Sequence, residues 1–424
     1  MIPDKYINLL QNTRVKNFII YGFGQAINLI SPLLVIPYLI SICGEEGLGK
    51  IGVGYSFALI AIVLVDYGSY INGTKDISIN SHDRLVLEEK VTTIYVSKVL
   101  LTIGVLIFST LILYFIPFFS RDFLQLILSL LIVVGQFINP TWFFQGIQNF
   151  KWITIINVLS KVIYVASIFL FIKKPEDYIY ANAFFGLGLI IASLLGFMWI
   201  CNKYSISYKK TSFSKGIQLI KSEFTLTVSQ LFFSFYQYTP IMLISYIGGD
   251  FMAGQYRVID QVIMIFRTYF QMFFNFIYAE VCIRISKSSA EGIKSWLKFN
   301  GLNYVLVLFI LVCFYFFTNN ILRYFKIDMN IKTNLVLLFR VGLLIPIFMG
   351  ISFALKQQMF AFNKNKEYIR ITILSTVISL ITMFFLINRI GLVGSFITTI
   401  IIELLIIITY LFILKPYIFV KNNT

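Results

Sequence analysis

The chain has 424 residues, of which 58% are hydrophobic and only 13% are charged, and its mean hydropathy is +0.84. This composition excludes both an ordinary soluble globular protein and an intrinsically disordered one. The formal net charge is +16, but the cations lie mainly in short connectors between apolar runs, which indicates membrane topology and excludes nucleic acid as a partner.

Twelve apolar runs follow one another along the chain, and most reach the roughly 20 residues that cross a bilayer as a helix. The first sixteen residues are polar and basic without a cleavable signal pattern, so we expect the first span to stay in place. We predict an all-α polytopic membrane protein with about 12 transmembrane helices. The predicted spans are 17–42, 49–73, 94–118, 123–145, 152–172, 178–201, 223–247, 251–281, 297–318, 333–355, 368–388 and 391–414.

The longest connector, 202–222, divides the spans six and six. We therefore predict an N-terminal six-helix bundle with its cytoplasmic connector at 1–222 and a C-terminal six-helix bundle at 223–424. A shift of 205 residues aligns part of the two halves, which indicates a parallel repeat and two bundles around a central cavity. The aligned pairs are Gln25 with Gln230, Gly44 with Gly249, Glu45 with Asp250, and Gly49 with Gly254.

The distribution of lysine and arginine over the connectors predicts the orientation of the chain. The termini and even-numbered connectors hold 22 cations, with Lys98 counted in the second connector, and the odd-numbered connectors hold eight. The positive-inside rule then places both termini in the cytoplasm, as an even number of spans requires.

Charged residues within spans are expensive and usually face a cavity or a partner. Span 8 carries several polar residues on one helical face, and we predict that they line a wet, cationic groove. An alternative is that Arg257 and Asp260 pair within a tight bundle, which leaves Arg267 without a partner. The face consists of Arg257, Asp260, Gln261, Met264, Arg267, Gln271, Asn275 and Tyr278.

Other spans add polar side chains to the predicted lumen. Its substrate-binding cations are expected to be Arg257, Arg267, Arg340 and Lys161. Its amides are expected to be Gln25, Asn28, Asn157, Gln230, Gln237, Gln271 and Asn275. The acids Asp66, Asp260 and Glu403 are candidates for coupling to H⁺ or Na⁺, although Asp66 and Glu403 could instead neutralise a cation.

These side chains favour a substrate that combines a phosphate group with a glycan. Arginine binds phosphate oxygens in a bidentate manner, and amides suit sugar hydroxyls, whereas a hydrophobic organic cation fits poorly. The only histidine, His82, lies in a predicted connector, so we expect neither a histidine-ligated metal nor a serine–histidine triad, and no cofactor.

Three sequence elements of this chain form a recognisable set. The first is the opening segment 17–49, with Gln25 and Pro37-Tyr38-Leu39. The second is Asp66-Tyr67-Gly68, and the third and most specific is the segment that closes span 4. Together they resemble elements of the Wzx-type O-antigen and capsule flippases, polysaccharide transporters of the MOP superfamily related to MATE exporters. The positions that match the family signatures are Asp66 and Trp142, Phe143, Phe144, Gln145 and Gly146.

The resemblance implies a flippase, not an enzyme, that moves undecaprenyl-pyrophosphate-linked oligosaccharide repeat units to the outer leaflet of the bacterial inner membrane by alternating access. It also implies membrane lipid, a polysaccharide polymerase and a chain-length regulator as partners. The alternative on the same fold is a MATE-like, ion-coupled antiporter that exports a small molecule. A membrane glycosyltransferase or polymerase is disfavoured, because the chain has no Asp-x-Asp motif and no large outward connector.

Overall fold

The computed structural model describes residues 13–80, 83–204, 206, 213–327 and 332–418. They form an all-helical chain that divides into two compact units, Met1–Ser234 and Phe235–Thr424. His82, the single histidine of the sequence, lies outside the described residues. The prediction of an all-α polytopic membrane protein is confirmed.

The helices before the long connector contribute to unit 1. They are α1 (Thr13–Asp66), a π-helix (Ser69–Gly73), α2 (Thr74–Ile79), α3 (Arg84–Phe115), α4 (Pro117–Ser120), α5 (Phe123–Ser129), α6 (Leu131–Ile138), α7 (Thr141–Gly146), α8 (Phe150–Phe171), a 3₁₀-helix (Pro175–Tyr180) and α9 (Ala181–Tyr204). The strongest packing in this unit joins α9 to α8 and α6, and α1 to α8.

The helices after the long connector are α10 (Phe213–Lys287), α11 (Ser289–Phe316), α12 (Thr318–Tyr324), α13 (Lys332–Gly342), α14 (Leu344–Ala361), α15 (Asn365–Ile390) and α16 (Leu392–Ile418). Helix α10 begins in unit 1, and the remaining helices belong to unit 2, where α16 packs against α14 and α15.

Two glycines interrupt the longest helices in the same way. Gly44 in α1 has φ 71° and ψ 179°, and Gly249 in α10 has φ 82° and ψ 169°. Only glycine reaches such angles without a steric penalty. The sequence repeat aligned these two residues, so both halves turn the chain at the same place and by the same backbone conformation.

Within the described residues, nine helices are long and apolar enough to cross a membrane, and a bent pair within α10 raises the number to ten. The segment Gly22–Asp66 counts once among the nine although Gly44 divides it into two helices. Its 45 residues amount to roughly 68 Å of helix in total, which is enough for two membrane spans. The count of twelve spans stays a prediction.

A proline lies at or near one break in each of predicted spans 4 and 10, whereas the other break of span 4, at Leu130, has no proline beside it. Span 4 becomes α5, α6 and α7, with its second break at Asn139 and Pro140. Span 10 divides at Leu343, three residues before Pro346. Proline donates no backbone hydrogen bond, and its ring clashes with the carbonyl four residues earlier, so the helix is interrupted on the N-terminal side of each proline.

The connector that the sequence placed at 202–222 is shorter than predicted. Helix α9 continues to Tyr204, and α10 begins at Phe213, ten residues before the predicted start of span 7. The residues at the start of α10 are polar and basic, so the helix extends beyond the apolar segment. The division into domains at 222/223 stays a prediction.

Candidate functional site

In unit 1, the acid at the end of α1 is held by a buried ion pair. Lys98 Nζ donates to Asp66 Oδ1 at 3.1 Å, and Gln136 Nε2 donates to Asp66 Oδ2 at 2.9 Å. Lys98 is completely buried. The sequence analysis was wrong to count this lysine as a connector cation, because it lies within the apolar part of α3.

The polypeptide makes a tight turn directly after this acid. Tyr67 and Gly68 both have positive φ, 39° and 77°, and the hydroxyl of Ser69 donates to the carbonyl of Asp66 at 2.5 Å. The turn ends α1 and leads into the π-helix. Asp66 therefore stabilises the end of α1 in two ways. Its carboxylate binds Lys98 of α3 and Gln136 of α6, and its backbone carbonyl accepts the hydrogen bond that stabilises the turn.

The signature at the end of span 4 forms α7 and belongs to the core. Trp142, Phe143 and Phe144 are each at most 2% exposed, and Phe144 stacks on the ring of Trp152 at 5.7 Å. A Cβ added to Gly146 would lie 2.7 Å from the side chain of Ile77, so this glycine allows α7 to approach α2. The geometry gives these residues a packing role, and Gln145 is half-buried beside them.

In unit 2, several side chains of the polar face of α10 contact one another or a neighbouring side chain. Arg257 Nη1 lies 3.4 Å from Asp260 Oδ2, so the pairing considered as the alternative does occur. Arg267 Nη1 and Gln237 Nε2 both donate to the sulfur of Met264, at 2.8 and 3.6 Å.

A buried carboxylate from α16 lies near these residues. Glu403 is 4% exposed and accepts hydrogen bonds from the hydroxyls of Tyr236, at 3.1 Å, and Ser352, at 2.6 Å. Arg267 interacts electrostatically with both Glu403 and Asp260. We call these side chains the unit 2 polar cluster: Tyr236, Gln237, Arg257, Asp260, Met264, Arg267, Ser352 and Glu403.

The other two predicted lumen cations lie against aromatic rings. Arg340 Cζ is 4.4 Å from the ring centre of Tyr315, and its buried Nε has no hydrogen-bond acceptor. In unit 1, Lys161 Nζ is 3.8 Å from the ring centre of Phe185. Among the side chains that the structure describes, no carboxylate pairs with Arg340 or Lys161.

The predicted lumen amides are distributed over both units. Gln271 and Asn275 are exposed and bonded to each other at 3.1 Å, further along α10. The structure joins only Gln237 of the amides to the unit 2 polar cluster. The remaining amides are half-buried, namely Gln25, Asn28, Asn157 and Gln230.

Sequence reasoning missed several residues that hold these acids. Gln136 and Ser352 are polar residues in apolar runs, and that placement was a signal for both of them, while Lys98 was a lysine inside predicted span 3. Tyr236 gave no signal, because a tyrosine in a span is equally typical of packing. Within the described ranges, no group of three or more His, Cys, Asp or Glu side chains could hold a metal ion.

Comparison with solved structures identifies the fold. The fold matches that of a multidrug resistance MATE family transporter of the MOP superfamily in an inward-facing conformation, with a TM-score of 0.69, 13% identity, and coverage of 93% of this chain and 95% of that one. A MOP superfamily transporter from Pyrococcus furiosus matches with a TM-score of 0.58, 11% identity and 94% coverage of both chains. The chain thus has the fold of the MATE-type membrane transporters.

The particular family follows from the sequence. Residues 14–283 match the family described as polysaccharide biosynthesis protein, and the chain belongs to this family. The resemblance drawn from the signature motifs is therefore confirmed.

Two curated relatives share the name "Putative O-antigen transporter". The protein from Escherichia coli (strain K12) is 24% identical over 251 residues, which are 58% of this chain and 60% of the relative. The protein from Shigella dysenteriae is 24% identical over 256 residues, which are 59% and 62% of the two chains. The chain thus spans about three fifths of the length of the relatives it matches.

Proposed function

We propose that the protein is a flippase for undecaprenyl-pyrophosphate-linked oligosaccharide repeat units, which it moves from the inner to the outer leaflet by alternating access. Membership of the polysaccharide biosynthesis family and the names of the curated relatives support a polysaccharide substrate. The MATE-type fold supports transport rather than catalysis as the activity.

The observation that carries this proposal is that two arginines in the spans of unit 2 have unused hydrogen-bond donors. Arg267 has no carboxylate within ion-pair distance among the described residues, and the buried Nε of Arg340 lacks an acceptor. Guanidinium donors in this state fit the oxygens of a pyrophosphate, which accept bidentate, charge-assisted hydrogen bonds. We propose Arg257, Arg267 and Arg340 as substrate-binding cations of unit 2 and Lys161 as a substrate-binding cation of unit 1.

We propose Glu403 as the carboxylate that couples transport to H⁺ or Na⁺. Its oxygens are held by two neutral hydroxyls, so proton or ion binding would not break an ion pair, and it would change the field at Arg267. Asp66 is a weaker candidate because Lys98 already neutralises it. Asp260 is similarly paired with Arg257.

The second candidate is an ion-coupled antiporter for a small molecule, which the solved structures with this fold favour. An exporter of organic cations needs an anionic binding site, whereas unit 2 offers arginines with unused donors. The charge of the transported molecule therefore separates the two candidates.

For the cellular setting we propose the bacterial inner membrane, with both termini in the cytoplasm. The proposed partners are the lipid-linked oligosaccharide and membrane lipid, together with a polysaccharide polymerase and a chain-length regulator that use the flipped unit.

The proposal is tested by reconstituting the protein into liposomes with a fluorescent undecaprenyl-pyrophosphate oligosaccharide and measuring how fast the label becomes accessible to an external quencher. We expect the protein to accelerate this exchange. Arg267→Ala should slow it by about tenfold or more, the size of one hydrogen bond to a charged group. Arg267→Lys should retain part of the rate, since the charge remains.

The matched control is Arg284→Ala, because Arg284 is an exposed arginine of the same helix that pairs with Glu280 at 2.6 Å. The Arg284→Ala protein should flip the lipid-linked oligosaccharide at the wild-type rate. Equal rates for Arg267→Ala and wild type would refute the role of Arg267. No acceleration by the wild-type protein, together with uptake of an organic cation, would favour the antiporter.

A further inference from the structure

Unit 1 contains an apolar groove that the transport proposal does not use. It has a volume of about 580 Å³ and is lined by side chains of α3, α6, α9 and the first residue of α10. The only hydroxyl in its lining is that of Tyr95, which donates to the carbonyl of Ile138 at 3.1 Å. Val99 and Phe213 are 41% and 61% exposed at its edge, so the groove is open to the surroundings of a membrane span.

A polar pocket of about 290 Å³ lies next to this groove. Ile94 lines the pocket and the following residue, Tyr95, lines the groove. On α10, Phe213 lines the groove and Leu219 lines the pocket, a separation of roughly 9 Å along the helix. A Cβ added to Gly216, between them, would lie 2.9 Å from Val96, so α10 packs directly against α3 between the residues that line the two cavities.

The polar pocket carries one anionic and one cationic group without an ionic partner. Asp76 and Lys90 neutralise each other at 2.9 Å. Of the other charges in the lining, Glu223 is 9% exposed and accepts a hydrogen bond from Asn72 Nδ2 at 2.6 Å, and Lys75 is exposed. No ion pair to either side chain occurs among the described residues.

Gly68 makes the position of this carboxylate possible. A Cβ at Gly68 would lie 2.7 Å from Glu223 Oε2. In addition, the backbone φ of Gly68 is 77°, a value that favours glycine. The carboxylate of Glu223 therefore rests against the turn that follows Asp66. Tyr67 and Gly68 of the signature Asp66-Tyr67-Gly68 thus form part of the pocket wall.

We propose that these two cavities form one binding site for a membrane phospholipid with a primary-amine headgroup, such as phosphatidylethanolamine. An aliphatic chain fills the groove, because the groove offers only apolar surface and lies in a membrane span. The ammonium group binds Glu223 and the phosphate binds Lys75, which matches the two unpaired charges of the pocket. A pyrophosphate is disfavoured there, because Glu223 would repel it. The inference is independent of the transported substrate.

The test is native mass spectrometry of the purified full-length protein in detergent, with equal amounts of phosphatidylethanolamine, phosphatidylcholine and phosphatidylglycerol of identical acyl chains. We expect the wild-type protein to retain the ethanolamine lipid about tenfold over the other two, since its ammonium donates charge-assisted hydrogen bonds to Glu223, whereas choline has no donor and the glycerol hydroxyls are uncharged. Equal retention of the three lipids by the wild-type protein would overturn the proposal, and this result needs no variant to fold.

Two variants locate the site. Glu223→Gln should abolish the preference among headgroups, and Glu291→Gln, an exposed glutamate of α11, should leave it unchanged. Val99→Trp should fill the groove and reduce retention of the ethanolamine lipid, while Ile103→Trp, on an exposed position of the same helix, should not. A preference that survives both Glu223→Gln and Val99→Trp would place the lipid elsewhere.

A competition experiment shows whether the groove holds the acyl chain of a phospholipid or the chain of a polyprenyl lipid. If undecaprenyl pyrophosphate displaces the ethanolamine lipid from the wild-type protein, and Val99→Trp prevents its binding, the groove holds the chain of a polyprenyl lipid and our assignment is wrong. If undecaprenyl pyrophosphate binds equally to the wild type and Val99→Trp while the ethanolamine lipid stays bound, the assignment stands.

Discussion

At the scale of single residues, the pair of Lys98 and Asp66 shows how a charge becomes tolerable within an apolar helix. The lysine is completely buried, and its ammonium lies 3.1 Å from the carboxylate. Removing one partner of a buried ion pair leaves the other charge uncompensated, which is far more destabilising than replacing both. The pair therefore acts as a unit, and each residue restricts what the other position can hold.

We predict that Lys98→Ala lowers the free energy of unfolding by ~3–5 kcal/mol, whereas the double variant Lys98→Met with Asp66→Asn loses much less. The measurement is thermal unfolding of the purified protein, followed by size-exclusion chromatography. Lys90→Ala serves as control, because Lys90 and Asp76 form an exposed pair and such pairs contribute little. Equal losses for Lys98→Ala and Lys90→Ala would contradict the prediction.

At the scale of structural elements, the turn between α1 and the π-helix depends on glycine for two reasons. Gly68 has a φ of 77°, and a Cβ would meet the Glu223 carboxylate at 2.7 Å. Backbone strain and a steric clash therefore act at the same position.

We predict that Gly68→Ala lowers the midpoint of thermal unfolding, with a loss of about 1–3 kcal/mol from backbone strain alone. Gly104→Ala is the matched control, since Gly104 lies within α3 and a Cβ there meets no atom within 4 Å. Because alanine is the better helix former, this control should be neutral or slightly stabilising. A Gly68→Ala protein that unfolds at the same temperature as Gly104→Ala would show that the turn is not strained.

The helix α7 shows that a family signature can serve packing. Phe143 and Phe144 are completely buried, and Trp142 Nε1 has no hydrogen-bond acceptor. The signature thus fills the space between α2, α3 and α8 with aromatic rings.

We expect Phe143→Ala to destabilise the protein by ~3–5 kcal/mol, because it leaves a cavity in this cluster. Trp142→Phe should have a smaller effect, since it keeps most of the ring volume and loses no hydrogen bond. Thermal unfolding and the yield of monodisperse protein report both effects. A larger loss for Trp142→Phe than for Phe143→Ala would indicate that the indole nitrogen has a role beyond packing.

At the scale of the whole molecule, the orientation in the membrane is testable without knowledge of the substrate. We predict that Ser289→Cys faces the cytoplasm and Ser120→Cys the opposite side; both positions are exposed. Each cysteine is introduced after the four native cysteines, Cys43, Cys201, Cys282 and Cys313, have been replaced by serine. An impermeant maleimide applied to intact cells should label Ser120→Cys and spare Ser289→Cys, and the reverse pattern would invert the predicted topology.

The sequence by itself determined the fold class and the family. Apolar runs of bilayer length admit only helices as spans, because backbone groups must bond internally in lipid. The alignment of Gly44 with Gly249 was also available from the sequence, and both glycines prove to break helices with the same angles.

Only the tertiary structure decided which charges meet. Lys98 and Asp66 are 32 residues apart, and Glu403 lies 167 residues from Tyr236, so no local spacing relates them. The same holds for Glu223, which is 151 residues from Asn72 and adjoins a groove whose walls come from four helices. Helical periodicity shows which side chains share a face, but the partner of a buried charge depends on how distant helices pack.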